Sequence, residues 1–340
     1  MIGMAQTHHG QLYPLKPTAV YDTFWRFAYE RQEVFFRRIE GFSPPWTEDS
    51  ILIRYKFTNV YRASDKVSQY LIKNIIYSGD QSPEEVFFRT MLFKIFNRIE
   101  TWELLRQSLG LLTYEDWSFD EYDMVLTDAL ASGIRIFSAA YIMPSGESSF
   151  GSPRKHRNCL LLLERMMQDE LPSQVQQARS MREVFELLRS YPMLGDFLAY
   201  QYAIDINYSE LTNFSEMDFV VPGPGARDGI SKCFSEFGGL NGADIVRLIA
   251  ERQDEEFRRL GLPFRSLWGR PLQLIDCQNL FCEVSKYARI AHPEAKGISE
   301  RVRIKQKYHP GAPLEYWYPP KWGINQHIKN RSEDLNDVSL

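Results

Sequence analysis

Phe57-Thr58-Asn59-Val60-Tyr61-Arg62-Ala63-Ser64-Asp65-Lys66-Val67-Ser68-Gln69-Tyr70-Leu71 is the stretch on which the reading of this chain turns. Phe57, Val60, Val67 and Leu71, joined by Ser64, recur at helical spacing and predict a helix with a core-facing stripe. Asn59, Arg62, Lys66, Gln69 and Lys73 fall on another face, with Asp65 beside them. A short amide, a guanidinium and a carboxylate within two turns are the groups that a polar ligand or a phosphate requires. The plainer alternative is a salt-bridged surface helix, since exposed ion pairs form at little energetic gain or cost.

Helical patterns continue on both sides. Thr18 to Ile39 reads as a helix carrying Phe24, Phe27, Val34 and Phe35, broken by Gly41 to Pro45. Ser82-Pro83-Glu84-Glu85 has the form of a helix start, with Ser as cap and Pro in the first turn. The stripe that follows, Phe88, Met91, Leu92, Ile95, Ile99 and Trp102, is expected in the core. Further helices are predicted over 119–140, 158–168 and 181–190, with a Gly- and Ser-rich loop over 144–153. Residues 217–221 and 273–275 are candidates for short extended pieces. The expected fold is mostly α. A single helical domain is expected over 18–330, with two lobes near 18–150 and 151–330 as a variant. A loose lead-in precedes it over 1–17, and a frayed acidic tail follows over 331–340.

Composition excludes several classes. With 44% hydrophobic residues and 22 Phe, 18 Tyr and 7 Trp, the chain can bury a large core, which argues against disorder. A net charge of −4 excludes a uniformly basic protein but not a local basic stripe for nucleic acid. The four cysteines, Cys159, Cys233, Cys277 and Cys282, form no Cys-x-x-Cys pair, so neither a zinc ribbon nor a disulfide framework is expected. No apolar run reaches membrane-spanning length, and no secretory leader pattern opens the chain. A cytoplasmic protein without metal or cofactor is the expectation, active in the presence of chelator.

A second region, 191–234, holds two Pro/Gly turns, each leading into a helix pattern. One is Pro192-Met193-Leu194-Gly195 and the other Pro222-Gly223-Pro224-Gly225. A helix start of this kind exposes backbone N–H groups that can hold a phosphate. Plain helix–helix connection is the alternative for each turn taken singly. Between and after them lie two carboxylates of interest, Asp218 and Asp276.

These residues, in this order, resemble the helix-hairpin-helix DNA glycosylases. In that likeness 52–67 stands for an early helix that probes the base stack, with Thr58-Asn59 to Arg62 as the probing residues. Pro192 to Ala199 then matches the hairpin, and Asp218 falls where the catalytic Asp is expected. A second register takes Pro222 to Gly225 as the hairpin and Asp276 as the acid; the first is preferred and both stay open. More of the chain resembles the α-glutamyl/putrescinyl thymine pyrophosphorylase family, whose helical domain also accompanies 5-hydroxymethyluracil DNA kinases. That likeness rests on Phe57 to Arg62 with Asp65, Leu198 to Tyr202 with Asp205, Pro222 to Gly225, and Asp276 to Tyr287. No Gly-x-x-x-x-Gly-Lys-Ser/Thr phosphate loop occurs, so the kinase half is not expected in these residues.

The resemblance implies work on a modified base in double-stranded DNA. The preferred expectation is a glycosylase, a monofunctional hydrolase that flips out and excises a bulky hypermodified pyrimidine, acting in anti-phage defence. The runner-up is a transferase in DNA hypermodification, replacing pyrophosphate on activated 5-hydroxymethyluracil with an amino acid or polyamine. A DNA-binding module without catalysis stands third. Asp218, Asp276 and Asn59 are the candidate catalytic residues, and Tyr61, Arg62, Asp65, Tyr200 and Gln201 the candidate base-binding ones. Phe197 and Arg227 occupy the positions where lyase members carry a nucleophilic Lys, which disfavours Schiff-base chemistry. Phosphate contacts are expected from Gly195, Gly223, Gly225, Arg227, Lys286, Arg289 and Arg303. The last three belong to a run of seven cations over 286–307 that contains only two acids, Glu294 and Glu300. Tyr316 to Trp322 is an aromatic segment suited either to stacking bases or to pinning the tail. Oligomeric state is not legible.

Overall fold

A computed structural model describes residues 5–6, 12–13, 15–312 and 314–328. Most of the predicted lead-in and all of the predicted tail lie outside these residues. The helices among them, in chain order, are α1 (Ala19–Ile39), α2 (Ser50–Arg54), α3 (Lys66–Leu71), α4 (Pro83–Phe96) and α5 (Ile99–Leu109). Next come α6 (Phe119–Ala131), α7 (Glu147–Phe150), α8 (Lys155–Gln168), α9 (Leu171–Gln177) and α10 (Met181–Arg189). The series closes with α11 (Asp196–Ile206), α12 (Pro224–Cys233), α13 (Gly242–Glu251), α14 (Gln253–Arg259) and α15 (Leu274–Ala291). Strand content is slight. β1 (Ala5–Gln6) pairs antiparallel with β2 (Leu12–Tyr13), and β3 (Lys16–Pro17) with β4 (Phe234–Glu236). The fold is mostly α, as its periodicity predicts.

The chain forms two compact units. It leaves the first after Asp65, builds the second from Lys66–Phe219, and returns for Val220–Tyr316; Trp317–Lys321 belongs to the second unit again.

In the first unit α12 lies against α15 almost backbone to backbone. Gly229 makes this possible: a Cβ there would sit 2.0 Å from the carbonyl oxygen of Phe281. One turn earlier, a Cβ on Gly225 would meet Cys282 Sγ at 2.9 Å. Aromatic rings then fill the space beneath α1, with Phe24 4.7 Å from Phe281 and Trp25 5.0 Å from Phe257 between ring centres. Such edge and tilted contacts add to the gain from burial alone.

The second unit is built around α4, where every residue from Glu85 to Phe96 is buried. A helix apolar on one face only would leave some of these in water; here helices cover it all round. The expected stripe through Phe88, Met91, Leu92 and Ile95 is core, while Ile99 is half-buried because Asn97 ends α4 in a left-handed conformation (φ 49°). Helix α6 stops at Ala131 rather than at 140, since Ser132 and the positive-φ Gly133 close it. The loop over 144–153 contains the short α7. α10 and α11 form a helix–turn–helix through Met193 (φ 70°), so the first Pro/Gly turn joins two helices; the second, at Gly223, follows irregular chain instead.

The helix expected over 57–71 needs correction. Phe57 to Tyr61 is irregular, Arg62–Ser64 is a single 3₁₀ turn, and α3 begins only at Lys66, passing into a π-turn at Ile72–Ile76. The cause is local competition: the Asp65 carboxylate and the Asn59 amide bond the backbone that a helix would need. Of residues 273–275 only Gln273 is extended, as the N-cap of α15, which starts at Leu274.

Candidate functional site

The polar residues of 57–65 converge on one knot in the first unit. Asp65 Oδ1 accepts the Asn59 N–H at 2.7 Å, and Asn59 Nδ2 donates to the Ser64 carbonyl at 2.6 Å. Arg31, from the middle of α1, donates through Nε to the Thr58 carbonyl at 3.0 Å and through Nη2 to Asn59 Oδ1 at 2.8 Å. From α15, Glu283 accepts the Thr58 N–H at 2.9 Å and pairs with Lys286 at 2.7 Å. Asp276 accepts the Arg62 N–H at 2.8 Å and the Gln273 N–H at 3.0 Å. Tyr61 donates its hydroxyl to the Arg270 carbonyl at 2.7 Å. The bonds from Arg31, Glu283 and Asp276 tie the loop to α1 and α15, and those of Asn59 and Asp65 close it on itself, so the loop is preorganised.

The electrostatics single out Asp65. Burial pushes its carboxyl up to about 7, against the opposing pull of the Asn59 N–H bond and the Arg31 charge. Burial likewise holds the Arg31 guanidinium below its ordinary value, partly offset by Asp65. A carboxyl that changes charge near neutrality, held by an amide and a guanidinium, is suited to accept or deliver a proton.

The other expected residues fall elsewhere. Asp276 is buried at the first turn of α15, where it completes a capping box with Gln273 while holding the loop. Asp218 lies exposed in the second unit. Tyr200 and Gln201 are buried on α11, where Tyr200 meets Phe219 edge-on at 5.8 Å. Gly195 and Gly223 are the N-cap residues of α11 and α12, neither with a side-chain cap. Arg227 is exposed and donates to the Pro222 carbonyl at 3.1 Å. Lys286 is engaged by Glu283, Arg289 donates to the Arg303 carbonyl at 3.1 Å, and Arg303 is exposed. In the aromatic tail segment, Tyr316 packs on Phe35 at 5.0 Å in the first unit, while Trp317 meets Tyr77 at 4.9 Å in the second.

Residue spacing did not bring out Arg31 as part of the knot, because its partners lie 28 residues away in an irregular loop. It also missed a buried cluster in the second unit. There Lys94 Nζ lies 3.1 Å from Asp205 and 2.8 Å from Asn97 Oδ1, and Tyr202 donates to the Lys94 carbonyl at 3.0 Å. A lysine inside the apolar run Met91-Leu92-Phe93-Lys94-Ile95-Phe96 was the available signal. Among the described residues no group of His, Cys, Asp and Glu is arranged to hold a metal. None of the described helices is long and apolar enough to cross a membrane.

Fold and knot together define a mostly helical protein in which the Asp65 carboxyl, raised by burial, sits in a hydrogen-bonded loop. The chain belongs to the family described as "5-hmdU DNA kinase, helical domain", which matches residues 18–297. It is 30% identical over 286 residues to a 5-hmdU DNA kinase of Bacillus phage SP10, an alignment covering 79% of this chain and 45% of that relative. The chain thus spans less than half the length of that relative. No solved structure matches.

Membership of this family overturns the expectation of a glycosylase. The relative is named as a 5-hmdU DNA kinase, and a kinase transfers a phosphoryl group, whereas a glycosylase hydrolyses the bond between base and sugar. Excision, hydrolysis and the base flipping tied to them lose their basis, and the transferase alternative stands nearer to the family.

Proposed function

We propose that this chain is the base-modifying module of a DNA hypermodification system, transferring a group at the 5-substituent of 5-hydroxymethyluracil in DNA. The observation that carries the reading is the family match over 18–297, which contains the whole Arg31–Asn59–Asp65–Asp276 knot. In the reaction an amine nitrogen, from an amino acid or polyamine, attacks the exocyclic 5-methylene carbon of a base activated as its pyrophosphate ester. The C–N bond forms, the C–O bond breaks, and pyrophosphate leaves with the bonding electrons. The amine proton passes to a carboxylate, a role that suits Asp65 because its carboxyl titrates at about 7. Asn59, whose amide donates and accepts, reads the polar edge of the base, and Arg62 stands beside it. Phosphates of the DNA backbone meet the start of α12 and the exposed cations Arg227 and Arg303 of the first unit.

The test is to incubate the protein with DNA carrying 5-(pyrophosphoryloxymethyl)uracil and a panel of amines, and to follow pyrophosphate. Release that depends on the amine supports the reading; none with any amine, from folded protein that binds the DNA, overturns it.

A further inference from the structure

Next to the knot, the first unit contains a cavity of about 420 Å³, within the range of small-molecule sites. Its walls include the rings of Trp46, Tyr55, Phe57 and Tyr308, together with the guanidinium groups of Arg31 and Arg38. The lining contains two cations and no carboxylate. Arg31 is only 8% exposed, and its Nη1 has no partner among the described residues. The buried hydroxyl of Tyr308 likewise has no partner among the described residues. Leaving two buried polar atoms unpaired is unfavourable unless a ligand bonds them. Ring walls, cations and unpaired donors describe a planar ring that carries a negative charge.

The approach to this cavity is basic. Arg301, Arg303, Lys305 and Lys307 are all exposed, and Tyr308 and Pro310 line the cavity immediately after them. The segment is fixed beside α2, with Lys56 N–H donating to the Gln306 carbonyl at 3.1 Å and Tyr308 N–H to the Arg54 carbonyl at 3.0 Å. A positively charged track ending in stacking rings is how single-stranded nucleic acid is held.

We infer that the cavity walled by Trp46, Tyr55 and Tyr308 binds a pyrimidine whose 5-substituent carries a phosphate, with Arg31 and Arg38 facing the anion. This rests on the proposed function for the identity of the ring. The same chemistry is offered by a modified base within a DNA strand and by a free modified nucleoside.

Binding should be measured for a short single-stranded oligonucleotide with one 5-phosphomethyluracil, for the same strand with thymine, and for free 5-phosphomethyl-2′-deoxyuridine. The wild-type protein should prefer the phosphomethyl strand over the thymine strand by about tenfold, the worth of one charge-assisted hydrogen bond. Ile53 is 45% exposed at the cavity wall, so Ile53→Trp should fill the space without unfolding the chain and abolish the preference. Arg38→Met and Tyr308→Phe should each reduce it several-fold, which keeps the test open if Ile53→Trp does not fold. Equal affinity for both strands in the wild type, or an undiminished preference in all folded variants, overturns the inference. A free nucleoside that binds as tightly as the strand identifies a nucleoside as the occupant; a markedly weaker one identifies DNA. Preference without pyrophosphate release would sink the proposed function and leave the cavity assigned. Release with the preference intact in Ile53→Trp would do the reverse.

Discussion

Asp65 is where charge, geometry and pH meet. Its folded carboxyl titrates at about 7, well above the ordinary carboxylate range. A raised carboxyl binds its proton more tightly in the folded chain than in the unfolded one. Its contribution to stability is therefore present at low pH and lost as pH rises from about 4 to about 7. Thermal melts across that window should show stability falling with pH, and Asp65→Asn should remove that part of the slope. If Asp65 accepts the amine proton, the transfer rate of the wild type should rise through pH 7 and level off above it. The Asn variant should lose the rate and with it the limb. Asn59→Ala is a second test at this scale. It deletes the acceptor for Arg31 and the donor to Ser64, leaving a buried guanidinium short of a partner, and should cost about 1–3 kcal/mol in denaturant unfolding. Part of this was legible: Asn59, Arg62 and Asp65 declare themselves by type. Their partners did not, because contacts from Arg31 and Glu283 depend on which turn of which helix faces an irregular loop.

Among the elements, the clearest lesson is the segment 57–71. Its apolar spacing fits a helix, yet side-chain-to-backbone bonds from Asn59 and Asp65 hold the first half open. Periodicity sees apolar side chains; it does not see a carboxylate competing for an N–H group. Helix α1 shows the opposite case, since Thr18 caps it and it runs to Ile39 as its pattern predicts. Two signals in the sequence were available but unused. Gln273-x-x-Asp276 has the spacing of a capping box, and Gly225-x-x-x-Gly229 has the spacing of a close helix contact. The second makes a firm prediction. Gly229→Ala would force α12 away from the Phe281 carbonyl and should destabilise the fold by about 3 kcal/mol or more, seen as a large drop in Tm. A silent substitution there would mean that α12 and α15 do not pack as described.

For the molecule as a whole, a net charge of −4 hides a basic track over 301–307. Binding of single-stranded DNA should weaken with salt, and replacing Arg301, Arg303, Lys305 and Lys307 with Gln should lower the log–log salt slope by about 0.7 per lost phosphate contact. The loss should be the same for every sequence, because phosphate contacts position the strand and do not read it. Fold class was legible from helical spacing over most of the chain. Two lobes stood as a variant of the single expected domain, but the bounds of the units are hard to read, since the first is assembled from separated stretches whose pairing, as between Phe24 and Phe281, leaves little trace in local pattern. The glycosylase expectation failed at this scale too. An Asp and a Pro/Gly turn are shared by proteins that cut a base from its sugar and proteins that build on it. The intact mass of an oligonucleotide carrying pyrophosphorylated 5-hydroxymethyluracil, taken after incubation with this protein and an amine, separates the two most directly. The account predicts a strand with its base in place, lighter by the pyrophosphoryl group and heavier by the amine; a strand that has lost the base, or one left unchanged, contradicts it.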